Sequence, residues 1–189
     1  MDFIKTEIDG VYIIKPKVIE DSRGYFFEAF SEKEFCENVR EIKFVQENES
    51  LSKKNVIRGL HFQKASYSQS KLIRVVKGRV LDVAVDIRKG SPTFGKHIAV
   101  ELSEENHLLV FIPRGFAHGF AVLSDEAIFQ YKCDNYYAPA HEGAIAWYDP
   151  DLNIDWKIPA EDIILSAKDQ NNPLLKDSEY LFDYNENLY

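Results

Sequence analysis

Two imidazoles in this 189-residue chain stand where chemistry is possible. His61 lies in Arg58-Gly59-Leu60-His61-Phe62-Gln63, a segment whose core is supplied by Ile57, Leu60 and Phe62. His118 lies in Pro113-Arg114-Gly115-Phe116-Ala117-His118-Gly119-Phe120, after the apolar run Leu108 to Ile112. That second stretch reads as a strand, a Pro-x-Gly turn and another strand carrying an inward histidine. Neutral imidazole accepts a proton near pH 7, so two of them on converging strands suit acid–base chemistry. A metal centre needs more donors than these. The residue two after His61 is Gln63, and no Glu occurs between Gly59 and Gly78. Half of a His-x-His, Glu, His ligand set is therefore missing, and no metal is expected. Lys71, at the start of the next apolar stretch, and Tyr131, near the end of another, carry little signal by themselves.

The elements that must position these side chains are mostly strands. Val11–Ile14 is a short apolar run stopped before Pro16, and Asp21-Ser22-Arg23-Gly24 is a turn followed by an aromatic-rich strand from Tyr25 to Phe30. Ser31–Arg40 is the clearest helix: Ser31 caps it, Glu34 takes the capping-box position, and Phe35 and Val39 share a face. From Phe44 to Ser50 the alternation puts Gln46, Asn48 and Ser50 on one face, as in a strand that either faces water or lines the mouth of a barrel. Leu72–Val76, Val80–Ile87, His97–Leu102, Leu108–Ile112, Phe116–Leu123 and Ala127–Cys133 follow at short intervals. This spacing predicts an all-β sandwich or closed barrel rather than βαβ units. A Gly-bounded histidine segment followed by Pro-x-Gly-x-x-His is similar to the paired motif of cupins. The expectation is a cupin double-stranded β-helix, a jelly-roll barrel with short peripheral helices. His61, Lys71 and Tyr131 are expected on successive parts of one barrel wall. The chain is read as one domain, residues 1–189, with a core over about 10–150 and C-terminal decoration over 151–189. The pattern weakens after Asp149-Pro150-Asp151, and the tail from Asp177 to Tyr189 reads as either a packed helix or a frayed end.

Composition narrows the function classes. Hydrophobic residues make up 45% and aromatics 13%, enough for a buried core. The net charge of −8 argues against nucleic-acid binding, while a few converging Arg and Lys still allow an anionic small molecule. Cys36 and Cys133 are too few for a disulfide framework, and two reduced thiols in a cytoplasmic protein are the expectation. The N-terminal residues have no apolar signal region, and no run approaches the ~20 residues of a membrane span.

Long phrases of the chain, in order, resemble the dTDP-4-dehydrorhamnose 3,5-epimerases, metal-free cupin enzymes of deoxysugar-nucleotide synthesis. They are Asp21-Ser22-Arg23-Gly24-Tyr25-Phe26-Phe27-Glu28, Gln46-Glu47-Asn48-Glu49-Ser50, Arg58-Gly59-Leu60-His61-Phe62-Gln63 and Gln69-Ser70-Lys71-Leu72. Asp82 to Arg88, Gly115 to Phe120, Tyr131-Lys132-Cys133, Asp149-Pro150 and Leu165-Ser166-Ala167-Lys168-Asp169 continue them. The resemblance spans about Gly10 to Leu175. It implies a nucleoside-diphosphate 4-keto-6-deoxyhexose substrate, dTDP-4-dehydro-6-deoxy-D-glucose, and the product dTDP-4-dehydro-L-rhamnose. It implies neither metal nor redox cofactor. His61 matches the base, Asp169 its orienting carboxylate, Tyr131 the opposite-face acid, and Lys71, with His118, the partner of the enolate oxygen. Arg23 and Arg58 match diphosphate contacts, and Gln46 and Asn48 amides near the phosphates and sugar. Phe26, Glu28 and Tyr137 match nucleoside contacts, with Glu142 and Lys168 as further ones. In this family the N-terminal strand segment reaches a partner subunit, so a homodimer is implied, with Arg23, Phe26 and Glu28 serving the neighbouring site. The same residues are compatible with a single-centre epimerase or a ketoisomerase on a related ketosugar, and the pocket alone with a non-catalytic sugar-nucleotide-binding cupin.

Overall fold

The computed structural model describes residues 1–189. In chain order the strands begin with β1 (Asp2–Lys5), β2 (Tyr12–Lys15), β3 (Ile19–Asp21) and β4 (Gly24–Phe26). The helix α1 (Glu32–Asn38) precedes β5 (Gln46–Lys53), β6 (Ile57–Gln63), β7 (Lys71–Lys77) and β8 (Arg79–Asp86). Then come β9 (Arg88–Lys89), β10 (His97–Ser103), β11 (Leu109–Ile112), β12 (Phe116–Val122), β13 (Glu126–Cys133), β14 (Glu142–Ala144) and β15 (Phe182–Asp183). A six-stranded sheet runs β1-β2-β11-β7-β13-β5, and a five-stranded sheet runs β10-β8-β12-β6-β14. The fold is the expected all-β cupin jelly roll. Its two sheets face each other without closing into one hydrogen-bonded cylinder.

Period-two side chains from both sheets fill the space between them. Ile73, Val75, Val110, Ile112 and Phe129 of the first sheet meet Val80, Ala84, Phe116 and Phe120 of the second. Phe120 and Phe129 stack with centroids 4.1 Å apart, a contact worth roughly 0.5–1.5 kcal/mol beyond its buried area. The outer face of the six-stranded sheet buries Ile14, Leu72, Leu109 and Phe111 beneath Phe35 of α1. The outer face of the five-stranded sheet buries Leu60, Phe62, Val83 and Val85 beneath Leu152, Trp156, Leu175 and Phe182 from the C-terminal segment. Four large apolar side chains at roughly 1.5–3 kcal/mol each make that cover a structural layer.

Three local expectations change. The strand expected from Tyr25 to Phe30 ends at Phe26, because β4 pairs only with the three-residue β3 and has no second ladder to extend it. Phe30 instead turns into the aromatic cluster of Phe35 and Phe44. The helix is shorter than expected: Ser31 Oγ accepts the Glu34 N–H, while the Glu34 carboxylate binds the Met1 amino group rather than completing a capping box. The tail is neither helical nor frayed. Phe182, 1% exposed, packs on Phe62, and β15 pairs in parallel with β9. No helix is long and apolar enough to cross a membrane.

Candidate active site

A cavity of about 500 Å³ opens between the sheets, and it exists in this form because β6 carries one extra residue. Pairing with β12 runs His118↔His61 and then Phe120↔Arg58, so three steps on β6 oppose two on β12. A bulge of this kind breaks strict alternation. Arg58 and His61, an odd number of positions apart, thereby both line the cavity. The bulge demands glycine. Gly59 has φ +134°, and a Cβ there would lie 2.5 Å from Gly119 Cα. Gly119 permits the same approach from the other side, since its own Cβ would meet Arg58 O at 2.7 Å.

His61 holds its place through Asp169. Nε2 lies 2.5 Å from Asp169 Oδ1, while Ser166 Oγ donates to Oδ2 at 2.9 Å and Asn172 Nδ2 to Oδ1 at 3.4 Å. Burial pushes the Asp169 carboxyl up, but the bond and charge of His61, with Ser166 and Asn172, outweigh it and hold the group below the usual carboxylate range. A carboxylate on Nε2 keeps that nitrogen protonated and leaves the Nδ1 lone pair free to take a proton. The two partners are 108 positions apart. Asp169 sits in a 3₁₀ turn, Asp169–Asn171, of the C-terminal segment, where the family resemblance expected it.

His118 makes a second, deeper pair. Its Nε2 lies 2.8 Å from Asp82 Oδ2, and its side chain is 8% exposed against 30% for His61. Burial pushes the His118 imidazole down, and the Lys71 charge adds to this against the pull of Asp82. With Nε2–H on Asp82, Nδ1 accepts from Lys71 Nζ at 3.5 Å. Burial likewise pushes the Lys71 ammonium down, although Cys133, Asp82 and Glu142 oppose the shift. Lys71 Nζ also stands 5.9 Å from the Tyr131 ring centre. Burial raises the Tyr131 phenol, so it keeps its proton, with the Asn48 hydrogen bond acting the other way. The adjacent Cys133 thiol is pushed up to about 11, chiefly by burial. Neither cysteine is bonded to the other.

The expectation of one common wall is corrected. His61 and His118 belong to the five-stranded sheet, on β6 and β12, whereas Lys71 and Tyr131 belong to the six-stranded sheet, on β7 and β13. The β7–β13–β5 registers Tyr131↔Ile73 and Tyr131↔Asn48 put Lys71, Tyr131 and Asn48 on one cavity-facing surface. The cavity thus lies between two walls.

Of the remaining expected residues, Arg58, Asn48 and Lys168 line the cavity, and Gln46, Tyr137 and Glu142 reach it only through hydrogen bonds to these or to each other. Arg58 Nε donates to Ser52 Oγ at 3.0 Å and its guanidinium forms no ion pair within the chain. Gln46 Nε2 donates to Asn48 Oδ1 at 2.9 Å, and Gln46 Oε1 accepts the Tyr137 N–H at 3.1 Å. Tyr137 Oη donates to Glu142 Oε2 at 3.1 Å, and Lys168 pairs with the same oxygen. Arg23, Phe26 and Glu28 stand apart, on or just beyond the exposed β3–β4 hairpin and outside the cavity of their own chain. Arg23 there forks onto Asp21. Asp82, Ser166, Asn172 and Ser52 went unassigned from sequence. Asp82 meets His118 only through the fold, whereas Ser166 and Asn172 flank Asp169 at three positions on either side and Ser52 lies six before Arg58, so for these three the local spacing was the available signal. Nowhere do three His, Cys, Asp or Glu side chains converge as a metal ion requires.

Comparison with known proteins agrees with this geometry. Residues 5–177 match the family model described as dTDP-4-dehydrorhamnose 3,5-epimerase. A protein of that name from Shigella flexneri is 53% identical over 181 residues, 95% of this chain and 99% of the relative. The crystal structure of a dTDP-4-dehydrorhamnose 3,5-epimerase from Elizabethkingia anophelis is 54% identical, with a TM-score of 0.91 over 95% of this chain and 99% of the other. A dTDP-6-deoxy-D-glucose-3,5-epimerase from Legionella pneumophila, solved in complex with dTDP-4-keto-L-rhamnose, is 49% identical, with a TM-score of 0.93 over 98% and 99%.

Proposed function

The chain belongs to the dTDP-4-dehydrorhamnose 3,5-epimerase family, and from that premise we propose how its cavity performs the reaction. The enzyme is an isomerase that epimerises C3 and C5 of dTDP-4-dehydro-6-deoxy-D-glucose to give dTDP-4-dehydro-L-rhamnose. Both carbons flank the C4 ketone, so a proton removed from either leaves an electron pair that delocalises onto the ketone oxygen as an enolate. His61 takes that proton on Nδ1 while Asp169 stabilises the imidazolium. Lys71, hydrogen-bonded to the neutral His118 of the His118–Asp82 pair, stabilises the enolate oxygen in a site where charge is poorly screened. Tyr131 returns a proton to the opposite face, the enolate pair re-forms a C–H bond, and the centre is inverted. Solvent then restores the tyrosine proton and removes the one on His61.

The observation that carries this reading is that His61, paired with Asp169, and Tyr131 stand on facing sheets that line one cavity. Racemising a carbon acid needs groups on both faces, and a single wall could not supply them. Arg58, unpaired at the mouth of a chain with net charge −8, is suited to the diphosphate, with Lys168, Gln46 and Asn48 beside it. Tyr137 and Glu142 lie toward the nucleoside.

The same reading takes residues 1–189 as one domain, places the enzyme in the cytoplasm and makes the working unit a homodimer. Exposed Ile19, Tyr25 and Phe26 on the β3–β4 arm, with Leu51 on the edge strand β5, support the dimer, because apolar surface of this size and an open sheet edge favour burial. The arm would then carry Arg23, Phe26 and Glu28 to the neighbouring cavity. Proton NMR of the 4-keto-6-deoxyglucose nucleotide in heavy water tests the reaction. Solvent deuterium should enter at both C3 and C5 with inversion at each. Exchange confined to one centre would make the enzyme a single-centre epimerase, and no exchange would leave a binding protein.

A further inference from the structure

Behind the Lys71 wall, Tyr189 closes a ring of hydrogen bonds that the reaction does not use directly. The Arg114 N–H donates to Tyr189 Oη at 3.2 Å. Ser70 Oγ donates its one proton to Asp134 Oδ2 at 3.1 Å, so across the 2.8 Å contact between Ser70 Oγ and Tyr189 Oη the tyrosine is the donor. Asp134 also accepts the Ser70 N–H at 2.7 Å and Arg114 Nε at 3.0 Å, which returns the ring to its start. The guanidinium carbons of Arg40 and Arg114 lie 4.0 and 4.9 Å from the Tyr189 ring centre and hold it in place.

The position of this ring gives it a consequence for the site. Ser70 is fully buried and directly precedes Lys71. Asp134 directly follows Cys133, the residue that faces Lys71 in the β7–β13 register. The ring therefore clamps together the two strand ends that carry Lys71 and Tyr131. Lys71 Nζ reaches His118 Nδ1 at only 3.5 Å, the outer limit of a hydrogen bond, so a small drift at the start of β7 breaks that contact. Attachment of the tail does not depend on the Tyr189 hydroxyl. Phe182 is buried, β15 pairs with β9, and Tyr180 Oη accepts the Ala65 N–H at 2.9 Å.

We infer that Tyr189 is a positioning residue for Lys71, acting through Ser70 and Asp134 to hold the ammonium where the enolate oxygen forms. This rests on the enolate role assigned to Lys71 above.

The test compares Tyr189→Phe, Ser70→Ala and the tail control Tyr180→Phe with the native enzyme, by kcat, KM and pH–rate profile on the 4-keto-6-deoxyglucose nucleotide. Tyr189→Phe keeps the ring and removes only the donor. It should lower kcat about 10-fold with KM within about 2-fold, and move the alkaline limb of kcat upward as Lys71 loses its fixed buried setting. Ser70→Ala should reproduce the same signature, and the double variant should be no worse than either single one. Tyr180→Phe should leave kcat and the limb in place. A folded Tyr189→Phe enzyme with native kcat and an unmoved limb overturns the proposal. So does a fall in kcat shared by Tyr180→Phe, which would mark general loosening of the tail. A native enzyme without epimerase activity would instead overturn the functional reading itself.

Discussion

His61 and His118 face each other in the β6–β12 register, and each bonds an aspartate through Nε2, yet the two pairs sit in different settings. Asp82 and His118 come from neighbouring strands of one sheet, both side chains nearly sealed from solvent. Asp169 arrives from a 3₁₀ turn over the cavity mouth, and His61 remains 30% exposed. The other ring nitrogen decides the contrast. In His118 it is occupied by Lys71, whereas in His61 it makes no hydrogen bond within the chain. Residue type and carboxylate partner are therefore insufficient to define a base. Access and a free lone pair complete the definition.

The largest test of this contrast is His61→Asn, which keeps shape and polarity but removes the base. Deuterium exchange at C3 and C5 should fall roughly 10²–10⁴-fold in a folded protein, and near-native exchange would end the assignment. The facing walls come next. Lys71→Ala should suppress exchange and inversion together, by about 10²–10³-fold, as expected on losing an oxyanion partner. Tyr131→Phe should spare exchange, because His61 still removes and returns protons on its own face, while inversion falls sharply. Equal loss of both in Tyr131→Phe would remove the two-face picture.

His118→Ala should act on both rate and fold, since it removes the Nδ1 acceptor of Lys71 as well as the partner of Asp82. It strands Asp82 in the interior, and breaking a buried pair costs about 3–5 kcal/mol, readable as a lower urea midpoint. If stability were unchanged, the deep pair would not be structural. The pH profile offers a gentler probe. In the proposed mechanism Lys71 works as an ammonium, and burial has pushed it down, so the rate should fall as pH rises through a value below the ordinary lysine range. Tyr131, pushed up, keeps its proton through that limb, so the exchange limb of Tyr131→Phe should coincide with the native one.

Ser166→Ala should have the smallest effect. Asp169 is held below the usual carboxylate range, so its pairing stabilises the fold fully above the unfolded carboxylate value and is lost as pH falls through the lower folded one. Removing the Ser166 bond, worth about 1 kcal/mol, lets the folded value rise, and acid unfolding should begin at a higher pH. Circular dichroism during acid titration reads this, and an unmoved acid midpoint would show that Ser166 does not sustain the pair.

Particular elements show what was legible from the chain. The polar face Gln46, Asn48, Ser50 appeared as simple alternation, and β5 places those residues inward with Glu47, Glu49 and Leu51 outward. The order of strands and turns came through for the same reason, although the strand expected over Phe44–Ser50 runs Gln46–Lys53. The arm after Gly24 was overextended, because an aromatic run looks like a strand whether or not a partner exists to bond it. The tail was unreadable because Phe182 owes its setting to Phe62, 120 positions away by residue number.

The sequence by itself determined the period-two pattern, the glycine turns, the absence of a full metal-ligand set and, through the phrases resembling a known family, which residues to propose for the site. Those properties depend on side-chain types within a few positions of each other. Only the tertiary structure decided that His61 and Tyr131 belong to opposing walls, that a bulge at Gly59 turns Arg58 and His61 to one side, and that Asp82 and Asp169 sort the two histidines into buried and accessible. These outcomes depend on register and on which segment packs over which sheet. Both are settled by the simultaneous burial of three apolar layers, a global condition that no local stretch of sequence contains.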